Sequence, residues 1–256
     1  DDGVAYLEAM SPVDCIFLDP ARRNEHGGKT VAISDCEPNV AELEGLLLSK
    51  ANRIMIKLSP MLDLSQALKE LPHTQEVHII SVNNECKELL LLLGQTAPEE
   101  IPVHCVNLST KGEQEKQLFV FTREQEQHSE CSYTDTLGNY LYEPNASLLK
   151  AGAFRSIAAA YSVKKLHPNS HLYTSDTQIE GFPGRTFRII NRCSLNKKEI
   201  KENLSDLKKA NITVRNFPAT VAELRKRIKL AEGGDTYLFA STLNDGQKIL
   251  IRCGKV

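Results

Sequence analysis

The sequence predicts an α/β fold: an incomplete, largely parallel sheet followed by a small βαβαββ domain. Three observations carry this. Short apolar runs alternate with segments of helical periodicity over residues 1–125, and strands separated by helices imply βαβ units with parallel pairing. The first run, Cys15–Leu18, is apolar on both faces as an inner strand is, yet nothing before it supplies a neighbour. Residues 185–256 carry cap, turn and strand signals that agree with one another.

Taken in order, Cys15–Leu18 is a strand ending at Asp19. After the loop Ala21–Pro38, residues Val40, Leu43, Leu46 and Leu47 stand at helical spacing within Asn39–Lys50. Arg53–Leu58 is a second strand, closed by Ser59-Pro60, and Leu62–Leu71 a short helix stopped by Pro72. Glu76–Val82 is a third strand. The turn-prone pair Asn83-Asn84 leads into Cys86–Leu93 as a hairpin, with a helix the alternative for the leucine run. Val103–Leu108 and Gln117–Thr122 are expected to finish the sheet as antiparallel strands.

Residues 126–184 read as a polar linker and a helical segment, with one helix over Ser147–Val163 ended by His167-Pro168. Beyond it, Thr186–Cys193 is a strand and Lys197–Ala210 a helix with Ile200, Leu204 and Leu207 on one face. Ile212–Phe217 is the next strand. Thr220 and Glu223 form a capping box for a helix over Val221–Ala231, closed by Gly233-Gly234. Tyr237–Ala240 and Lys248–Cys253 pair as a hairpin across Asn244-Asp245-Gly246.

Composition bounds the function. The 256 residues are 41% hydrophobic and 25% charged, the mix of a globular protein. The longest leucine run is too short to cross a bilayer, so no membrane role is expected. The seven cysteines are scattered without a C-x-x-C pair, which suggests neither a zinc site nor a disulfide framework; a reducing cytoplasm fits, and no metal is expected. The chain opens Asp1-Asp2-Gly3 without a methionine and reads as a fragment whose upstream part is missing. Charge is unevenly shared: residues 185–256 carry 16 cations and 7 acids, a net +9, so residues 1–184 carry −11 of the overall −2. A basic module invites an acidic polymer. A solvated lysine-rich surface is the plainer alternative.

The stretch Asp19-Pro20-Ala21-Arg22-Arg23 leaves the first strand at its carboxyl end, the edge where open α/β sheets bind ligands. Pro20 fixes its own φ and stiffens the exit, which aims the Asp19 carboxylate. Taken alone, the stretch also reads as a loop in which Asp19 pairs with Arg22 or Arg23. Asp2-Gly3-Val4-Ala5-Tyr6-Leu7 followed by DCIFLDPARR resembles the middle of a class I S-adenosylmethionine-dependent methyltransferase. The resemblance implies a partial Rossmann-like methyltransferase sheet and S-adenosyl-L-methionine as cofactor. It places Asp2 at the adenine end of that cofactor and Asp19-Pro20 beside the methyl donor and substrate. Arg22 or Arg23 would hold a substrate phosphate. The Ala-Arg-Arg continuation departs from the Pro-aromatic form of amino-group methylases and is nearer to Asp-Pro-Pro-Arg RNA methylases, without the catalytic cysteine of the uracil-C5 enzymes. The glycine-rich cofactor loop is absent; Gly27-Gly28 follows DPARR and reads as a flexible loop, with His26 beside it. The fragment alone is therefore expected to be inactive.

The segment Arg215–Ala240 resembles the THUMP-like C-terminal domain attached to such methyltransferases, which implies RNA as partner. Arg225, Lys226, Arg227 and Lys229 sit within two turns of one helix, whose buried face takes Val221, Leu224 and Ile228 and leaves most of the cations outward. Outward cations contact phosphates and add affinity without sequence choice. The leading expectation is a methyltransferase acting on tRNA or rRNA, with Arg215 and this helix docking the RNA. A non-catalytic RNA-binding protein on a degenerate methylase fold, or a methylase for a small molecule or protein, are the alternatives.

Overall fold

The computed structural model describes residues 2–22, 32–110 and 116–256. The chain forms two compact units, Asp1–His128 with Ala146–Ala153, and Ser129–Asn145 with Phe154–Val256.

In the first unit, helix α1 (Gly3–Ala9) precedes strand β1 (Val13–Leu18). Helix α2 (Val40–Lys50) then leads into β2 (Ala51–Leu58), which pairs parallel with β1 from Val13↔Ala51 to Leu18↔Ile56. Helix α3 (Leu64–Glu70) starts at Asp63, whose carboxylate accepts from the Gln66 amide at 2.8 Å. Strands β3 (Thr74–Val82) and β4 (Glu85–Leu93) form the expected hairpin. Asn83 and Asn84 make its turn at φ 51° and 65°, left-handed angles that asparagine tolerates. Strands β5 (Pro102–Leu108) and β6 (Lys116–Thr122) complete a six-stranded sheet of order β1-β2-β4-β3-β5-β6.

The sheet is mixed in its middle as well as at its end, which differs from the sequence reading. Antiparallel β4 inserts between parallel β2 and β3. The immediate reversal at Asn83-Asn84 sets β4 beside β3, and the other edge of β4 takes β2. A six-residue helix, α4 (Arg123–His128), runs into the start of the segment expected as a linker. It is started by a reciprocal pair in which the Thr122 amide donates to the Gln125 side chain and the Gln125 amide donates to Thr122.

Alternation along the strands sorts the sheet into two faces. One buries Ile54, Ile56, Val77, Ile79, Leu89 and Leu91. Helix α2 packs on β2 through this unit's core, and α5 (Ala146–Ala151) packs across β3, β4 and β5. The other face is open: Phe17 is 57% exposed, Leu118 47% and Val120 43%. Strand β1 stands at the edge of the sheet.

The helix expected over Ser147–Val163 is two helices, α5 and α6 (Phe154–Tyr161), assigned to different units. Gly152 breaks it at φ 77°, with its amide donating to the Leu148 carbonyl at 3.0 Å. This is a left-handed helix end that glycine adopts at no steric cost.

The second unit is a seven-stranded sheet. Its strands are β7 (Tyr140–Pro144), β8 (Lys164–Lys165), β9 (Tyr173–Ser175), β10 (Gly184–Cys193), β11 (Asn211–Arg215), β12 (Thr236–Thr242) and β13 (Lys248–Lys255), in the order β8-β9-β7-β10-β13-β12-β11. Helices α7 (Lys197–Leu204) and α8 (Val221–Ile228) complete the expected βαβαββ pattern. Residues 126–184 are thus no mere linker: β7, β8 and β9 belong to the same sheet as the C-terminal strands. Both helices are shorter than their periodicity suggests. The Ala210 amide bonds the Ala231 carbonyl and the Ala231 amide bonds the Lys208 carbonyl, each at 3.0 Å. That bridge pulls the chain out of both helices, and α8 ends at Lys229 in a left-handed conformation rather than at Gly233-Gly234.

Glu143 on β7 is 1% exposed and bridges two arginines. Arg185, its register partner on β10, donates from Nε at 2.9 Å. Arg215, at the end of β11, donates from Nε and Nη2 at 3.1 and 2.9 Å. In a flat sheet β7 and β11 would lie about 19 Å apart, four strand spacings of about 4.8 Å. A single carboxylate reaches both only because the sheet curls. Its concave side holds Leu141, Phe187, Phe239, Ile249 and Ile251, all buried.

Near this bridge, His171 stacks on Phe154 at 3.6 Å between ring centroids. Burial, then the charges of Lys165 and Arg215, lower its pKa from 6.5 to about 4. Between these two values the unfolded chain binds a proton that the folded unit does not, so stability falls as pH drops from 6.5 toward 4. The thermal midpoint should decline across that window. His171→Asn, which tolerates the φ of 52°, should flatten the decline; an unchanged pH profile would remove His171 as its cause.

Candidate functional site

The parallel pairing of β1 and β2 brings the carboxyl ends of both strands to one edge. Asp19 follows β1 directly, and Pro20 behind it is buried. Lys57, the penultimate residue of β2, extends its ammonium to Asp19 Oδ2 at 2.6 Å. Glu88 on β4 approaches the same ammonium at 3.9 Å. The pKa of Lys57 is raised above 10.5, chiefly by the hydrogen bond to Asp19, with burial opposing it and the charges of Glu88 and Asp19 adding to it. A lysine from the neighbouring strand is thus a partner of Asp19. Arg22 contributes its backbone to a two-residue antiparallel pair with Cys36. Arg23, His26, Gly27 and Gly28 lie outside the described residues.

A carboxylate gripped by an ammonium at a sheet edge is fixed in direction. It can accept a hydrogen bond from an amine or hydroxyl brought to its other oxygen. Asp19 remains 54% exposed and so is open to such a group.

Asp2 stands elsewhere in the same unit. Its Oδ1 accepts from the amides of Val4 and Ala5 at 2.8 and 3.0 Å, capping α1. It also lines a cleft of about 500 Å³ with Ser34, Glu37, Pro38 and Asn39. A second cleft, of about 520 Å³, lies at the opposite end of the sheet among Asn52, Arg53, Gln75 and Gln95, away from Asp19.

The predicted cations of the second unit divide. Arg215 is bound to Glu143 and so serves the sheet first. Arg225 donates to the Ala210 carbonyl at 3.2 Å and Arg227 to the Leu195 carbonyl at 2.8 Å. Lys226, Arg227 and Lys229 are exposed, whereas Leu224 is buried beneath them. Lys57, Glu88, Glu143 and Arg185 were not singled out by sequence. A lysine inside the apolar run RIMIKL was the available signal for Lys57; the others depend on pairing that only the fold reveals.

Comparison with known proteins adds to this. Residues 184–255 match a family described as THUMP domain-like, and residues 140–183 match a ferredoxin-like domain family. A crystal structure from Porphyromonas gingivalis, of a protein provisionally described as a methyltransferase, superposes with a TM-score of 0.86 at 40% identity over 95% of this chain. The chain spans 60% of that protein's length. No curated protein matches. Among the described residues no helix is long and apolar enough to cross a membrane, and no disulfide joins any of the cysteines.

If Asp19 is what raises Lys57, removing its charge must show at the lysine. In Asp19→Asn, the Lys57 ammonium followed by NMR should titrate closer to 10.5 than in the parent protein. An unmoved titration would dissolve the pair in solution.

Proposed function

We propose that the chain is part of an S-adenosylmethionine-dependent methyltransferase that acts on RNA in the cytoplasm. The observation that carries this reading is Asp19, held by Lys57 at the carboxyl edge of parallel strands. It is supported by the 40% identity to the Porphyromonas protein. The THUMP-like segment and the net charge of +9 over residues 185–256 favour RNA as the substrate.

Bound S-adenosylmethionine supplies an electrophilic methyl group. Asp2, at the mouth of its cleft, is the residue of this chain assigned to the adenosine end. Asp19 receives the hydrogen bond of the substrate amine or hydroxyl and orients its lone pair, while Lys57 keeps the carboxylate from turning away. Pro20, buried, stiffens the exit from β1. Arg22 and Arg23 are assigned to a substrate phosphate. Lys226, Arg227 and Lys229 dock the RNA backbone, with Arg225 and Arg215 holding the surface behind them.

Two variants of the full-length protein separate catalysis from docking. Asp19→Ala should abolish methyl transfer and leave RNA affinity unchanged, and undiminished turnover would end the assignment of Asp19. Lys226→Glu with Lys229→Glu should weaken RNA binding uniformly across sequences. The slope of log affinity against log salt should become shallower by about 1.5, from about 0.7–0.9 per phosphate contact.

A further inference from the structure

A second group of titratable side chains lies on the open face of the first unit's sheet. His78 on β3 and His104 on β5 are register partners on adjacent parallel strands. Glu76 precedes His78 by two residues and so points from the same face. The two imidazoles stack with centroids 4.4 Å apart and planes inclined by 6°. Glu76 Oε2 lies 3.1 Å from His78 Nε2 and 3.8 Å from His104 Nε2. The three possible ligand atoms all fall within 4.8 Å of one another.

The two glutamate–histidine spacings bracket what a small cation needs. With zinc–ligand bonds of about 2.0–2.2 Å, the atoms of a tetrahedral site stand about 3.4 Å from each other. The backbones of all three residues are fixed by strand pairing, so only side-chain torsions remain to turn the imidazole lone pairs onto a common point. Side-chain exposures of 27% for His78, 26% for His104 and 44% for Glu76 leave an entry path. Leu90 and Val120, the register partners of His78 and His104 on the outer sides, wall the group with apolar surface.

We propose that Glu76, His78 and His104 bind a divalent transition-metal ion, zinc by ligand type, with a fourth position open to water or an external ligand. Lys57 lies in the same row of the sheet but is separated from His78 by Leu90, about 10 Å away at two strand spacings. The metal site is therefore distinct from Asp19 and stands independently of methyl transfer. Its ligands come from two adjacent strands, β3 and β5, that are separated in sequence by β4, so no local motif announces it.

The test is titration of Co²⁺, then Zn²⁺, into the chelator-treated protein. One ion per chain is expected, with a cobalt spectrum of nitrogen and oxygen ligands and a rise in the unfolding temperature. His104→Gln and, separately, Glu76→Gln should each weaken binding by at least about tenfold. Thiolate charge-transfer bands, affinity retained in both variants, or no binding at all would overturn the proposal. Unfolding without metal verifies each variant's fold, and Glu76→Gln carries the test if His104→Gln proves unstable.

Discussion

The parallel register between Val13–Leu18 and Ala51–Leu58 is the constraint on which the first unit's chemistry depends. It places two strand ends at one edge, so that a carboxylate leaving one strand meets an ammonium near the end of the next. Neither residue is distinctive by itself. An aspartate before a proline is an ordinary strand exit, and a lysine at the end of an apolar run is an ordinary way to keep a strand in solution. Their meeting at 2.6 Å turns two exits into one directed group. The same row of the sheet, continued through Leu90, places His78 and His104 side by side.

The second unit rests on a different device. Glu143 comes from the segment that matches a ferredoxin-like family, and both its arginines come from the segment that matches a THUMP domain-like family. A buried carboxylate is costly unless both oxygens are satisfied by well-aligned donors. Arg185 takes one and Arg215 the other. Curling the sheet around this bridge joins the two segments in one core. It also explains why Arg215, a natural candidate for phosphate, is committed to structure, while the exposed cations of α8 remain on the surface.

Local chemistry made much of this legible in the sequence. The Thr220–Glu223 capping box and the Asn83-Asn84 hairpin turn need only neighbouring residues, and both stand where the sequence put them. The edge position of Asp19 followed from one apolar strand and its exit. What escaped was long-range. The insertion of β4 between β2 and β3 depends on which edge accepts a strand, which no local pattern encodes. Helix α7 ends early because Lys208 and Ala210 pair with Ala231, more than twenty residues away. Gly152 falls inside the single helix that the sequence predicts over Ser147–Val163, yet a left-handed glycine there divides it between two units. Lys57, Glu143 and the Glu76–His78–His104 group share that blindness, since each acquires its role only from a partner on another strand.

Where a transferred methyl group ends up is the most direct measure of the function proposed for this fold. The full-length protein would be incubated with methyl-labelled S-adenosylmethionine and a mixture of RNA, protein and small-molecule extract. Methyl transfer to RNA places the label in high-molecular-weight material that ribonuclease releases and protease does not. Label confined to protein or to small molecules, or none above background, would contradict it.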